Sequence, residues 1–97
     1  MVKKALFVRL KAKAGKEAAV EEFLNGGLQL VNDEPLTTVW YAIKFDDSTF
    51  GIFDAFAGDE GRDAHLNGKV AEALMAKAGE LLAEPPTIEK VDVLAAK

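Results

Sequence analysis

Thr37-Thr-Val-Trp-Tyr-Ala-Ile-Lys-Phe45, Asp46-Asp-Ser-Thr49 and Phe50-Gly-Ile-Phe-Asp-Ala-Phe-Ala57 are the three consecutive pieces on which the fold turns. Two runs rich in β-branched and aromatic residues flank four residues of turn chemistry, the pattern of a β-hairpin. In the first run Val39, Tyr41, Ile43 and Phe45 share one side, and Trp40 and Ala42 the other. In the second, Ile52, Asp54 and Phe56 oppose Phe53 and Ala55. Large apolar groups stand on both sides, whereas a sheet wetted on one face alternates cleanly. The second face is therefore expected to be covered by another copy of the chain, most simply in a two-fold dimer.

The flanks complete the fold. Val2 to Lys13 alternates, with Leu6, Val8, Leu10 and Ala12 against Ala5, Phe7, Arg9 and Lys11, and predicts a first strand. From Lys16 to Val31, Val20, Phe23, Leu24, Leu28 and Val31 recur at helical spacing. Gly26-Gly27 weakens that helix by about 1 kcal/mol per glycine relative to alanine, which predicts a kink or an early end; close packing is the favoured reason for small residues there. Asn32 to Pro35 reads as a loop. Beyond the hairpin, Gly58 to Leu66 reads as a loop entering a short helix, and Val70 to Ala83 as a long helix stopped by Pro85-Pro86. Thr87 to Ala95 is the last strand. The order β-α-β-β-α-β predicts an α+β, ferredoxin-like antiparallel sheet with its helices on one face, in a single domain over residues 1–97.

Composition narrows the function. A net charge of −4 argues against nucleic acid and anionic membranes as partners. Lys3, Lys4, Arg9, Lys11, Lys13 and Lys16 cluster early, in and near one strand, and read as a solvated edge. Arg9 and Lys11 interrupt the first apolar run, so no signal peptide is expected, and no apolar run approaches the roughly 20 residues of a membrane helix. The chain has no cysteine, which removes thiolate chemistry and fits the cytoplasm.

One histidine remains, His65, nine residues after the strand-ending Phe56. It is the side chain that titrates near neutral pH without special tuning, and a candidate general base. Capping or packing a short helix is the other role open to it. A two- or four-residue hairpin loop would pair Tyr41 with Asp54, and Tyr41 or Arg9 would then partner a carboxylate on an apolar surface. In that arrangement Asp54 orients His65 or a substrate hydroxyl; an Asp54 facing solvent at the sheet margin is the alternative. An odd loop would place Tyr41 and Asp54 on different faces. Trp40 is expected opposite Tyr41, lining the subunit interface or, in another register, the pocket. One histidine and no cysteine speak against a metal site, and there is no phosphate loop or nucleophile motif.

The ordered set Lys11-Ala-Lys-Ala-Gly-Lys-Glu17, Phe53-Asp-Ala-Phe56, His65-Leu66 and Leu81-Leu-Ala-Glu-Pro-Pro86 resembles the antibiotic biosynthesis monooxygenase family of dimeric α+β barrel proteins. The resemblance implies a homodimer whose two sheets close into a barrel, with a pocket between sheet and helices in each subunit. It further implies oxidation of a small phenol, quinol or polyketide-like aromatic by molecular oxygen, with no cofactor. His65 would act as base, Asp54 and Tyr41 would polarise, and Arg9, Phe23, Phe56 and Trp40 would line the substrate site. Three departures stand out. Asp54 and Phe56 replace the family's usual Glu and Trp, and strand one lacks the Asn of the haem-degrading branch, which speaks against haem. Asp33-Glu-Pro-Leu36 replaces the usual small-residue turn beside the pocket, so the substrate is expected to differ. A dimeric ligand-binding or stress-related protein without activity, and an isomerase or lyase using His65, are the rival expectations.

Overall fold

The computed structural model describes all 97 residues. Its elements run β1 (Lys4–Lys11), α1 (Glu17–Val31), β2 (Val39–Lys44), β3 (Thr49–Phe56), α2 (Asp59–Leu66), α3 (Lys69–Leu81) and β4 (Thr87–Asp92). The strands form one antiparallel sheet in the order β2-β3-β1-β4. This is the expected ferredoxin-like arrangement, with the second helical segment divided into α2 and α3 at Asn67-Gly68.

The core lies between the sheet and the helices. Val8, Leu10, Phe50 and Ile52 meet Val20 and Leu24 of α1 and Leu74 and Leu81 of α3. Phe50 and Phe56 are among the largest fully buried side chains, and each such burial contributes about 1.5–3 kcal/mol. Helix α1 runs unbroken through Gly26-Gly27. The Trp40 indole lies where a side chain on Gly27 would begin, 3.4 Å from an added Cβ, so the small residue serves packing.

The hairpin departs from expectation by one residue. The pairs are Trp40 with Asp54, Tyr41 with Phe53 and Ala42 with Ile52. The cause is the turn. The Phe45 N–H donates to the Thr49 carbonyl at 2.8 Å, and Asp46 Oδ1 accepts from the N–H groups of Ser48 and Thr49 at 3.0 and 2.8 Å. Three residues between Phe45 and Thr49 give an odd loop, and a one-residue slip exchanges the faces of a strand. Trp40 thus points to the helices, beside Asp54, instead of into a subunit interface. Tyr41 lies on the other face and is 59% exposed.

That other face carries Phe7, Arg9, Tyr41, Ile43, Phe45 and Phe53. Phe45 folds across Gly51, where a Cβ would stand 3.1 Å from its ring. The Arg9 guanidinium sits 4.4 Å from the Phe45 centroid and 5.6 Å from that of Phe7, a cation–π arrangement. Arg9 is therefore on the face away from Asp54, and the expected pairing of the two does not form.

Candidate functional site

Three elements bring three ionisable groups together. Strand β3 presents Asp54 inward, between Leu6 of β1 and Trp40 of β2, where it is 0% exposed. Helix α2 places His65 in its last turn, where the helix dipole favours a cation. The loop between α1 and β2 supplies Glu34. The His65 ring bridges the two carboxylates: Nδ1 lies 2.5 Å from Glu34 Oε1, and Nε2 lies 2.9 Å from Asp54 Oδ2. The Glu34 contact is an aligned hydrogen bond. The Asp54 contact is a close ion pair without that alignment, and both Asp54 oxygens lack an aligned donor. The ring is 7% exposed and packs at 5.5 Å on Phe56.

Burial pushes the His65 pKa down, but hydrogen bonding and charge from Asp54 and then Glu34 outweigh it, and the net shift is upward. The carboxyl groups flanking the ring favour its protonated form. With both nitrogens protonated, the ring donates to Glu34 on one side and faces Asp54 as an ion pair on the other. The buried set thus sets two carboxyl groups against one imidazole.

Glu34 is seated from several directions. The Thr37 hydroxyl donates to the same Oε1 at 2.8 Å. Its Oε2 is buried with no hydrogen-bond partner. That atom lies 3.0 Å from where a Cβ on Gly68 would stand, and the Leu36 carbonyl lies 2.8 Å from where one on Gly61 would stand. The loop thus settles onto α2 and its end through two side-chain-free positions. Around it is a depression of about 240 Å³ lined by Asp33, Glu34, Pro35, Leu36, Thr37, Gly61, Ala64 and His65.

Of the residues expected at the site, His65 and Asp54 meet, with Phe56 behind the ring. Phe56 is fully buried, so it backs His65 and presents no surface to a substrate. Trp40 neighbours Asp54 in register, with its Nε1 buried and unpartnered. Tyr41 and Arg9 lie on the opposite face. Phe23 borders a separate groove of about 400 Å³ between α1 and α3. Between sheet and helices, the space beside Leu10, Val20 and Leu74 is only about 10 Å³, and a depression of about 330 Å³ lies between α1 and the hairpin, lined by Glu21, Leu24, Asn25, Ala42, Ile43, Lys44 and Phe50. Glu34 and Thr37 were missed as site residues. The one sequence signal was the unusual Asp33-Glu-Pro-Leu36 loop, which marked a border and not a ligand. No group of three or more His, Cys, Asp or Glu is disposed to hold a metal ion.

No family model and no curated protein matches the chain. Solved structures do. The chain is similar to the NE2512 protein of unknown function from Nitrosomonas europaea, with 62% identity and a TM-score of 0.98, covering 100% of this chain and 94% of that one. It is similar in fold to PA3566 from Pseudomonas aeruginosa, with 18% identity and a TM-score of 0.83 over 98% and 97% of the two chains. It is likewise similar in fold to an antibiotic biosynthesis monooxygenase, with 13% identity and a TM-score of 0.81 over 95% and 99%.

Proposed function

The chain belongs to the same family as NE2512 of Nitrosomonas europaea and has the fold of the antibiotic biosynthesis monooxygenases, and on that footing we propose that it is a cofactor-independent monooxygenase acting on a small phenol or quinol. The observation that carries this reading is the buried Asp54–His65–Glu34 set opening onto a small depression.

The chemistry follows from the charges. A phenol becomes electron-rich enough to reduce oxygen once it loses its proton. The set has two carboxyl groups to one imidazole, so a carboxylate can take that proton, while the His65 ring holds the phenolate by charge and hydrogen bond. This assigns His65 the cationic role and gives the basic role to a carboxylate, because the ring lies between two carboxyl groups that favour its protonated form. The phenolate passes one electron to oxygen, and the two radicals join at the para carbon. Loss of water then leaves the second carbonyl. A phenol with a free para C–H and one O2 thereby give a p-quinone and one water, with all four electrons supplied by the substrate.

The exposed aromatic face fits a two-fold dimer, since Tyr41, Ile43 and Phe45 are large apolar groups without cover in the single chain. Lack of cysteine suits a reducing compartment such as the cytoplasm, and no helix is long and apolar enough to cross a membrane.

Oxygen uptake with a panel of phenols and quinols tests the reading. Wild type is expected to exceed His65→Ala by about 100-fold on its best substrate, the scale of a well-placed acid–base group. Uptake no faster than that of His65→Ala across the panel would end it. A binding-only protein is the second reading, and one observation favours it: both nitrogens of His65 are already engaged.

A further inference from the structure

The two carboxylates beside His65 are held in different ways. Asp54 belongs to a strand hydrogen-bonded on both sides, by β1 and β2. Glu34 belongs to a loop, and the depression lies on its side of the ring. Its Oε1 receives two donors, the His65 Nδ1–H and the Thr37 hydroxyl, while its Oε2 is buried without any. A carboxylate oxygen on a cationic donor, carried by a loop and half-satisfied, occupies the place of a ligand.

The geometry points to the Nδ1 side of His65 as an oxyanion-binding site, closed in this structure by Glu34 acting as an internal plug, and built to take the carboxylate or phenolate oxygen of a small aromatic ligand. Asp54 stays on Nε2 throughout and keeps the ring oriented. Pro35, Leu36 and Thr37 move with Glu34 when the ligand enters, since they share its loop. A ligand must compete with the plug, so its apparent affinity is lowered by the fraction of molecules in which Glu34 is displaced. For a phenol the exchange balances simply: the O–H proton passes to the departing Glu34 carboxylate, and the phenolate takes its place on Nδ1–H. The ligand class rests on the monooxygenase reading; the plug does not.

Benzoate is the probe, because it offers a carboxylate on an aromatic ring and has no phenolic proton to lose. Its binding is measured calorimetrically on wild type, Glu34→Ala, Thr37→Val and the double variant Glu34→Ala with His65→Asn. Glu34→Ala is expected to bind benzoate at least tenfold more tightly than wild type. Thr37→Val, which loosens the plug and leaves its carboxylate in place, should gain less, and the double variant should lose the gain. Equal affinity in wild type, Glu34→Ala and Thr37→Val overturns the plug, as does a gain that survives loss of His65. Oxygen uptake on the same samples separates the two ideas. Benzoate gain without uptake sinks the oxygenase alone, and uptake without benzoate gain sinks the plug alone.

Discussion

Asp54 and Glu34 hold the same imidazole from opposite sides, yet one is part of the sheet and the other part of a loop. Asp54 cannot move without breaking β3 out of the ladders on both its flanks. Glu34 moves if the loop between α1 and β2 lifts from Gly61 and Gly68. The difference teaches that equal chemistry on two sides of a residue need not mean equal duty. The strand-borne carboxylate sets the ring's charge and orientation, and the loop-borne one decides what else reaches it.

The sharpest way to break the comparison is to remove each carboxylate in turn. Asp54→Ala leaves the Nε2 side of a buried ring without its carboxylate and is expected to cost about 3 kcal/mol. Glu34→Ala removes a group 17% exposed, beside a depression that water can enter, and should cost about 1 kcal/mol. Urea denaturation of the two variants measures both. Equal costs, or a reversed order, would erase the distinction between fixed and movable sides.

The loop's seat comes next. Gly61→Ala places a methyl group against the Leu36 carbonyl, which stands 2.8 Å from the new Cβ. Backbone has to shift, and about 2 kcal/mol of stability should go with it. The same change lifts the loop, so benzoate affinity should rise. A stability loss with no rise would mean that the loop is scaffold only.

The pH profile sharpens the comparison further. The His65 pKa is raised in the folded protein, so the native state keeps a proton that the unfolded chain gives up. The stabilisation is complete below the ordinary histidine value of about 6.5 and is lost as pH rises through the folded value. Melting temperature should therefore fall over that window in wild type and stay flatter in His65→Gln. Asp54→Asn should flatten the profile more than Glu34→Gln, because Asp54 contributes more to the upward shift. A profile unchanged by His65→Gln would contradict the charged ring.

The smallest effect is expected on the far face. Tyr41→Phe alters an exposed residue across the sheet from His65 and should leave benzoate affinity within about twofold of wild type, as for most surface changes. A larger change would mean that the two faces are coupled.

Much of the fold was legible because alternation and helical spacing report burial directly. Val8, Leu10, Ile52 and Phe56 face the helices as their periodicity implies. The hairpin register was not, because it depends on how Asp46 closes the turn, and a three-residue loop looks the same in sequence as its neighbours. That single residue moved Tyr41 out of the site and Trp40 beside Asp54. Asp54 was legible as a carboxylate on an apolar strand face, and His65 as the one histidine, nine residues after Phe56. Glu34 was not, since a carboxylate in a polar loop carries no periodic mark, and only the folded path of the loop brings it to His65.

Nitrogen-15 NMR of the His65 ring tests the central claim most directly, with both nitrogens followed through a benzoate titration of the wild-type protein. A fixed Asp54 and a replaceable Glu34 predict that Nδ1 shifts as benzoate binds while Nε2 holds its position. Movement of both nitrogens together, or of neither while benzoate binds, would contradict the account.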